Sequence, residues 1–204
     1  MKRLVTTISK YKSQLVMPVM IALMFAFTAF SVQAQSFVLD LESSPMSFTN
    51  ANKTILVNTG NSGKNAGSKH KYTSVVTKDG ITVYAIMTIL ETNNATIVDF
   101  DDDTQTGDQA RFQPRIGSNS SNGGNILYEL EFFDTATDDE VFLTGYYMTG
   151  VDIDGNGSNR EYVQVGGYSS YQVDETSGLT ISTDQASGRT QFLGIDYSLS
   201  GVTF

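Results

Sequence analysis

After residue 35 the chain offers no stretch in which apolar residues recur at helical spacing. Short runs rich in Val, Ile, Thr, Tyr and Phe alternate instead with clusters of Gly, Asn, Asp and Ser. A period of two suits a strand with one buried face, and the intervening residues are those that turns require. The runs fall at 37–41, 53–58, 70–77, 81–91, 95–100, 125–133, 140–153, 161–173, 179–184 and 189–204. Asp79-Gly80 separates two of them as a two-residue hairpin turn, because Gly accepts positive φ. Residues 58–68 and 117–125 read as loops rich in Gly, Asn and Ser. The pattern predicts an all-β fold, a two-sheet antiparallel β-sandwich of jelly-roll type with its core between the sheets. Phe132 or Phe133, but not both, points inward, since neighbours on a strand face opposite sides. With no linker or internal repeat, residues 35–204 read as one β-sandwich domain.

The first 34 residues are of another kind. Lys2, Arg3, Lys10 and Lys12 give a basic start, an apolar run follows from 15 to 30, and Val32-Gln33-Ala34 precedes Gln35. This is the three-part layout of a cleaved signal peptide spanning 1–34. The run is shorter than the roughly 20 residues that span a bilayer, and Pro18 interrupts it. The expected destination is secretion or the bacterial cell surface, with no transmembrane segment after cleavage. A membrane β-barrel fits poorly, because Val202, Ser200, Ser198 and Asp196 share the face of Phe204 and break any apolar band.

Charge narrows the partners. Four of the 13 Lys and Arg lie in the first 34 residues and none of the 22 acids does, which leaves −13 on the remainder. Such a polyanion repels phosphate backbones, so nucleic acid is not an expected partner. The chain has no cysteine, so disulfides, thiolate chemistry and a lipidated N-terminal Cys are all excluded. Folding rests on burial, helped or not by a metal.

The sharpest motif is Asp152-Ile153-Asp154-Gly155-Asn156-Gly157, followed by Glu161. Oxygen side chains at i, i+2 and i+4 converge when a chain wraps a cation, glycines permit the turn, and a later carboxylate closes the shell. Hard oxygen donors suit Ca²⁺. Only the first six positions match an EF-hand, since Val163 stands where that loop has its bidentate Glu. The reading is a calcium loop between strands, with Asp152, Asp154, Asn156 and Glu161 as ligands. The alternative is an acidic hairpin whose Asp, Asn and Gly serve turn geometry alone. A second acidic stretch, Asp99-Phe100-Asp101-Asp102-Asp103 with Asp108 beyond, reads as a solvated surface loop or as a second ligand set using Asp99, Asp101 and Asp103.

Catalytic readings are weaker. His70 is the only histidine and stands between two lysines at a strand entrance, where it reads as solvated. Glu129 and Glu131 share one strand face, as in outline do the acids of jelly-roll glycosidases, but their spacing differs and no Trp is present to build sugar subsites. They read as the acidic outer face of a half-buried strand. Tyr146-Tyr147 and Tyr168 with Tyr171 read as cross-sheet packing before they read as a sugar platform.

The order of Asp99–Asp103, Arg111-Phe112-Gln113-Pro114, the 151–157 loop with 161–165, and Leu179-Thr180-Ile181-Ser182 is familiar. Over roughly residues 70–204 it resembles the β-sandwich modules of large secreted bacterial cell-surface adhesin-like proteins. The resemblance implies a calcium-supported extracellular scaffold or adhesive module. The expected function is accordingly an exported, calcium-stabilised surface or adhesion module without catalytic activity, whose partner is a surface glycan or another surface protein. A carbohydrate-binding module is the alternative, with a glycoside hydrolase behind it.

Overall fold

The computed structural model describes residues 37–102, 110–121, 123–150, 153, 155–156, 159–173, 177–195 and 202–203. In chain order come β1 (Phe37–Asp40), a 3-10 turn (Asn50–Asn52), β2 (Lys53–Val57), β3 (Lys69–Lys78), β4 (Ile81–Asn93), β5 (Ala95–Asp99) and β6 (Arg115–Ser118). There follow β7 (Asn125–Asp134), β8 (Val141–Thr144), β9 (Thr149–Gly150), β10 (Gly155–Asn156), β11 (Asn159–Arg160) and β12 (Tyr162–Val165). The last are β13 (Gln172–Val173), β14 (Leu179–Thr183), β15 (Thr190–Gly194) and β16 (Val202–Thr203). The fold is all-β, and its antiparallel sheets are compatible with a β-sandwich. Among the described residues no helix is long and apolar enough to cross a membrane.

The largest sheet runs β2-β3-β4-β7, all antiparallel. Asp79 and Gly80 join β3 to β4 with φ of 52° and 80°, the positive pair that a tight hairpin turn demands. β4 is flanked on both edges, and its two faces differ. Val83, Ala85, Met87 and Ile89 face the core, where each large side chain contributes about 1.5–3 kcal/mol by burial. Tyr84 and Thr88 lie on the opposite face and are buried too. There Tyr84 stacks on its cross-strand partner Phe133 with ring centres 5.2 Å apart, and Lys71 Nζ sits 3.4 Å from the Tyr84 centroid. Phe132 joins the core while Phe133 packs on the outer face, as strand alternation requires. A bulge between Tyr72 and Val76, with Ser74 at φ 57°, turns both Val75 and Val76 inward.

Around this sheet lie the pair β5-β6, the pair β10-β11 and two three-stranded sheets, β12-β15-β14 and β13-β16-β9. The pair β1-β8 is parallel, Phe37 opposite Val141 through Asp40 opposite Thr144. From it Leu39, Leu41 and Val141 enter the main core. A smaller cluster forms around Ile153 and Phe192, with Val163, Val173 and Leu179 against it. Two expected strands are shorter than their apolar runs. Gly145, at φ 63° with no room for a side chain beside the Asp40 carboxylate, ends β8; Gly166-Gly167, with φ 81° at Gly167, follows β12. β6 partly overlaps a stretch read as loop, because its single large apolar residue, Ile116, is too little alternation to register.

Candidate functional site

The acidic stretch after β5 is not the solvated surface loop that charge alone suggests. Phe100, Asp101 and Asp102 are all buried, and Asp101 is 1% exposed. A buried carboxylate needs donors, and Asp101 has them from distant parts of the chain. The Tyr72 hydroxyl donates to its Oδ2 at 2.8 Å, and the Gln113 amide donates to its Oδ1 at 3.0 Å. Asn50 Nδ2 donates to its main-chain oxygen at 3.1 Å. Asp102 lies 3.6 Å from an Arg115 guanidinium nitrogen, and its amide donates to the Gln113 carbonyl. Half-buried Asp99 accepts from the Asp101 amide at 3.4 Å. Of the second candidate ligand set, then, Asp101 has both oxygens engaged by internal donors. Asp103 and Asp108 lie outside the described residues.

Of the first set, Asp152, Asp154 and Gly157 lie outside the described residues. Between and beyond them, Ile153 is buried, and β10 pairs with β11 so that Gly155 faces Arg160 and Asn156 faces Asn159. Glu161 is exposed, and its carbonyl accepts from the Gly194 amide at 2.9 Å. Among the described residues no three His, Asp or Glu side chains converge on one point.

His70 corrects a second expectation. It is 1% exposed, not solvated. Strand alternation explains this: Lys69 and Lys71 occupy one face of β3, and His70 and Tyr72 the other. Its ring lies flat on Phe100, centroids 3.6 Å apart and planes within 10°. Nε2 donates to the Gly63 carbonyl at 2.7 Å, whereas Nδ1 has no hydrogen-bond partner. Burial, chiefly, and the Lys53 charge hold the imidazole below its ordinary pKa, against the Gly63 bond, which raises it. Phe100 also meets Phe112 and Tyr128 edge-on, and burial pushes the Tyr128 phenol up.

Glu129 and Glu131 stand opposite Thr88 and Ile86, on the outer face of the main sheet. Tyr168 donates to Thr190 Oγ1 at 2.6 Å and meets Tyr171 edge-on, and Tyr171 in turn meets Phe192, so this pair packs over the smaller core. Tyr146 and Tyr147 differ: both are exposed, Tyr147 to 70%. They follow an exposed apolar pair in the chain. Val38 and Phe142, partners in the β1-β8 ladder, are 65% and 51% exposed. The alternation in Phe37-Val38-Leu39 and Val141-Phe142-Leu143 carries that signal, since inward residues on both strands leave an apolar neighbour outside. Comparison with protein-family models, curated proteins and solved structures gives no match.

Proposed function

We propose that the chain is an exported, non-catalytic β-module of the bacterial surface that acts by presenting a contact face to a surface protein or glycan. The observation that carries this reading is the run of exposed apolar side chains at Val38, Phe142, Tyr146, Tyr147 and Met148. Val38 and Phe142 lie side by side in the β1-β8 ladder, and adjoining exposed apolar groups mark interaction sites more often than scattered ones do. The basic and apolar leader at 1–34 supports export. The only histidine is packed into the core, a position from which it cannot serve as a surface base.

Calcium at Asp152, Asp154, Asn156 and Glu161 belongs to the proposal as a stabilising ion. Extracellular sites have Kd values on the order of 10⁻⁴ M. Calcium about tenfold above that stabilises by about 1.4 kcal/mol, roughly 3–6 °C in Tm for a domain this size. Carbohydrate binding is the second reading, favoured by the 70% exposure of Tyr147 beside Tyr146.

The test uses residues 35–204, melted in chelator and in calcium and then probed on a glycan array. A calcium-dependent rise that Asp154→Ala removes supports the ion site. Glycan binding abolished by Tyr147→Ala moves the function to sugar recognition. Cleavage of any arrayed glycan overturns the non-catalytic reading.

A further inference from the structure

The loop between β2 and β3, residues 58–68, looks flexible in composition and is tightly organised in space. Asn58 Oδ1 accepts from the Gly60 and Gly63 amides at 2.9 and 3.0 Å. Thr59 and Ser68 bond to each other through their hydroxyls at 2.8 Å. Besides the Ile89 amide, which donates to the Ser68 carbonyl at 3.0 Å, three bonds tie the loop to its surroundings. The Gly67 amide donates to the Ile89 carbonyl, Lys64 Nζ donates to the Val98 carbonyl at 2.6 Å, and the Gly63 carbonyl accepts from His70 Nε2. The third tie lies deepest, because Gly63 rests on the histidine ring itself, leaving only 3.2 Å between a hypothetical Cβ and ring atoms.

We propose that His70 is an acid-sensitive latch, holding the 58–68 loop on the sheet while its ring is neutral and releasing it when the ring takes a proton. A carbonyl can only accept, so Nε2 carries the proton of the neutral ring and Nδ1 is bare. A bare nitrogen in an aromatic pocket is tolerable; an N–H⁺ there, without an acceptor, is not. Protonation at Nδ1 therefore requires the ring to leave its place.

The charged groups on the surrounding elements do not rescue the imidazolium. Lys53 on β2, its Nζ 5.4 Å from the Phe100 ring centre, has the same sign. Lys64 on the loop is cationic as well. Beyond β5, Asp101 accepts from Tyr72 and Gln113, Asp102 lies beside Arg115 of β6, and Asp99 accepts from the Asp101 amide. β4 brings Met87 opposite His70, and β7 brings Tyr128, a neutral phenol. The depressed basicity of the ring agrees with this geometry.

The consequence is measurable because the chain has one histidine. If only the open form binds the proton, with the ordinary pKa of about 6.5, opening becomes about tenfold more favourable between pH 8 and pH 5.5. Hydrogen exchange of the purified protein, corrected for intrinsic rates, should show that loss of protection at Gly63, Lys64 and Gly67 but not at the centre of β4. His70→Gln, whose amide can still donate to Gly63 but cannot be protonated, should make loop protection independent of pH over this range. Equal pH dependence in wild type and His70→Gln overturns the latch. Should the variant fail to fold, the ring carbon signal of wild-type His70 decides. Titration well below 6.5 together with loop opening supports the latch, and titration near 6.5 with an unchanged loop overturns it.

Discussion

The Tyr72 hydroxyl donates to the Asp101 carboxylate at 2.8 Å, joining two fully buried side chains 29 residues apart in sequence. The bond fastens the turn after β5 to the second strand of the main sheet. Tyr72→Phe keeps the ring and its edge-on contact with Phe48 but leaves Asp101 Oδ2 without this donor. Hydrogen bonds to buried charged groups contribute roughly 1.5–3 kcal/mol, so the variant should lose about 2 kcal/mol in urea unfolding. An unchanged midpoint and slope would show that the phenol is dispensable.

Gly63 has φ 81°, and a Cβ there would stand 3.1 Å from Ile55 Cδ1 and 3.2 Å from the His70 ring. Gly63→Ala combines backbone strain with a collision and should cost about 1–3 kcal/mol. Adding Ile55→Val removes the atom on one side of the collision. The double variant should recover part of the loss, and additive losses would leave the cost to the backbone and the His70 ring.

Phe192 is fully buried in the smaller cluster. Phe192→Ala should destabilise by about 3–5 kcal/mol through lost contacts and the cavity left behind. Amide protection should fall first in β12, β14 and β15 and persist in β3 and β4. Equal loss in both regions would mean that the two clusters melt as one unit.

Burial, together with the hydrogen bond and charge of Asp138, pushes the Tyr84 phenol up to about 12. A tyrosine in the unfolded chain loses its proton near pH 10. Between these values the native state binds more protons than the unfolded one, so stability is fully present below pH 10 and declines as pH rises toward 12. Phenolate absorbance should show late-titrating tyrosines, Tyr128 among them, and Tyr84→Phe should remove one. A Tyr84 that ionises with the exposed tyrosines would refute the assignment.

The strands were legible wherever alternation was long. Val83 through Ile89, the Asp79-Gly80 turn and the opposed directions of Phe132 and Phe133 all follow from period two. His70 is deceptive in sequence because its lysine neighbours suggest a solvated setting, although the same alternation puts them on the other face. Asp101 was illegible for a different reason. Its donors, Tyr72 and Gln113, lie 29 and 12 residues away, and only the register of β3 and the path after β6 bring them near. The exposed Val38–Phe142 pair likewise depends on a parallel pairing that no local pattern announces.

That parallel pairing also imposes an order of events on the growing chain. Phe37 leaves the ribosome about 100 residues before Val141, its ladder partner. Until then Leu39 and Leu41 have no completed core to enter, whereas the β3-β4 hairpin can close as soon as residue 93 appears. The first of the described strands is thus secured only after every strand of the main sheet has been made, and until then its apolar edge is a stretch for a nascent-chain chaperone to shield.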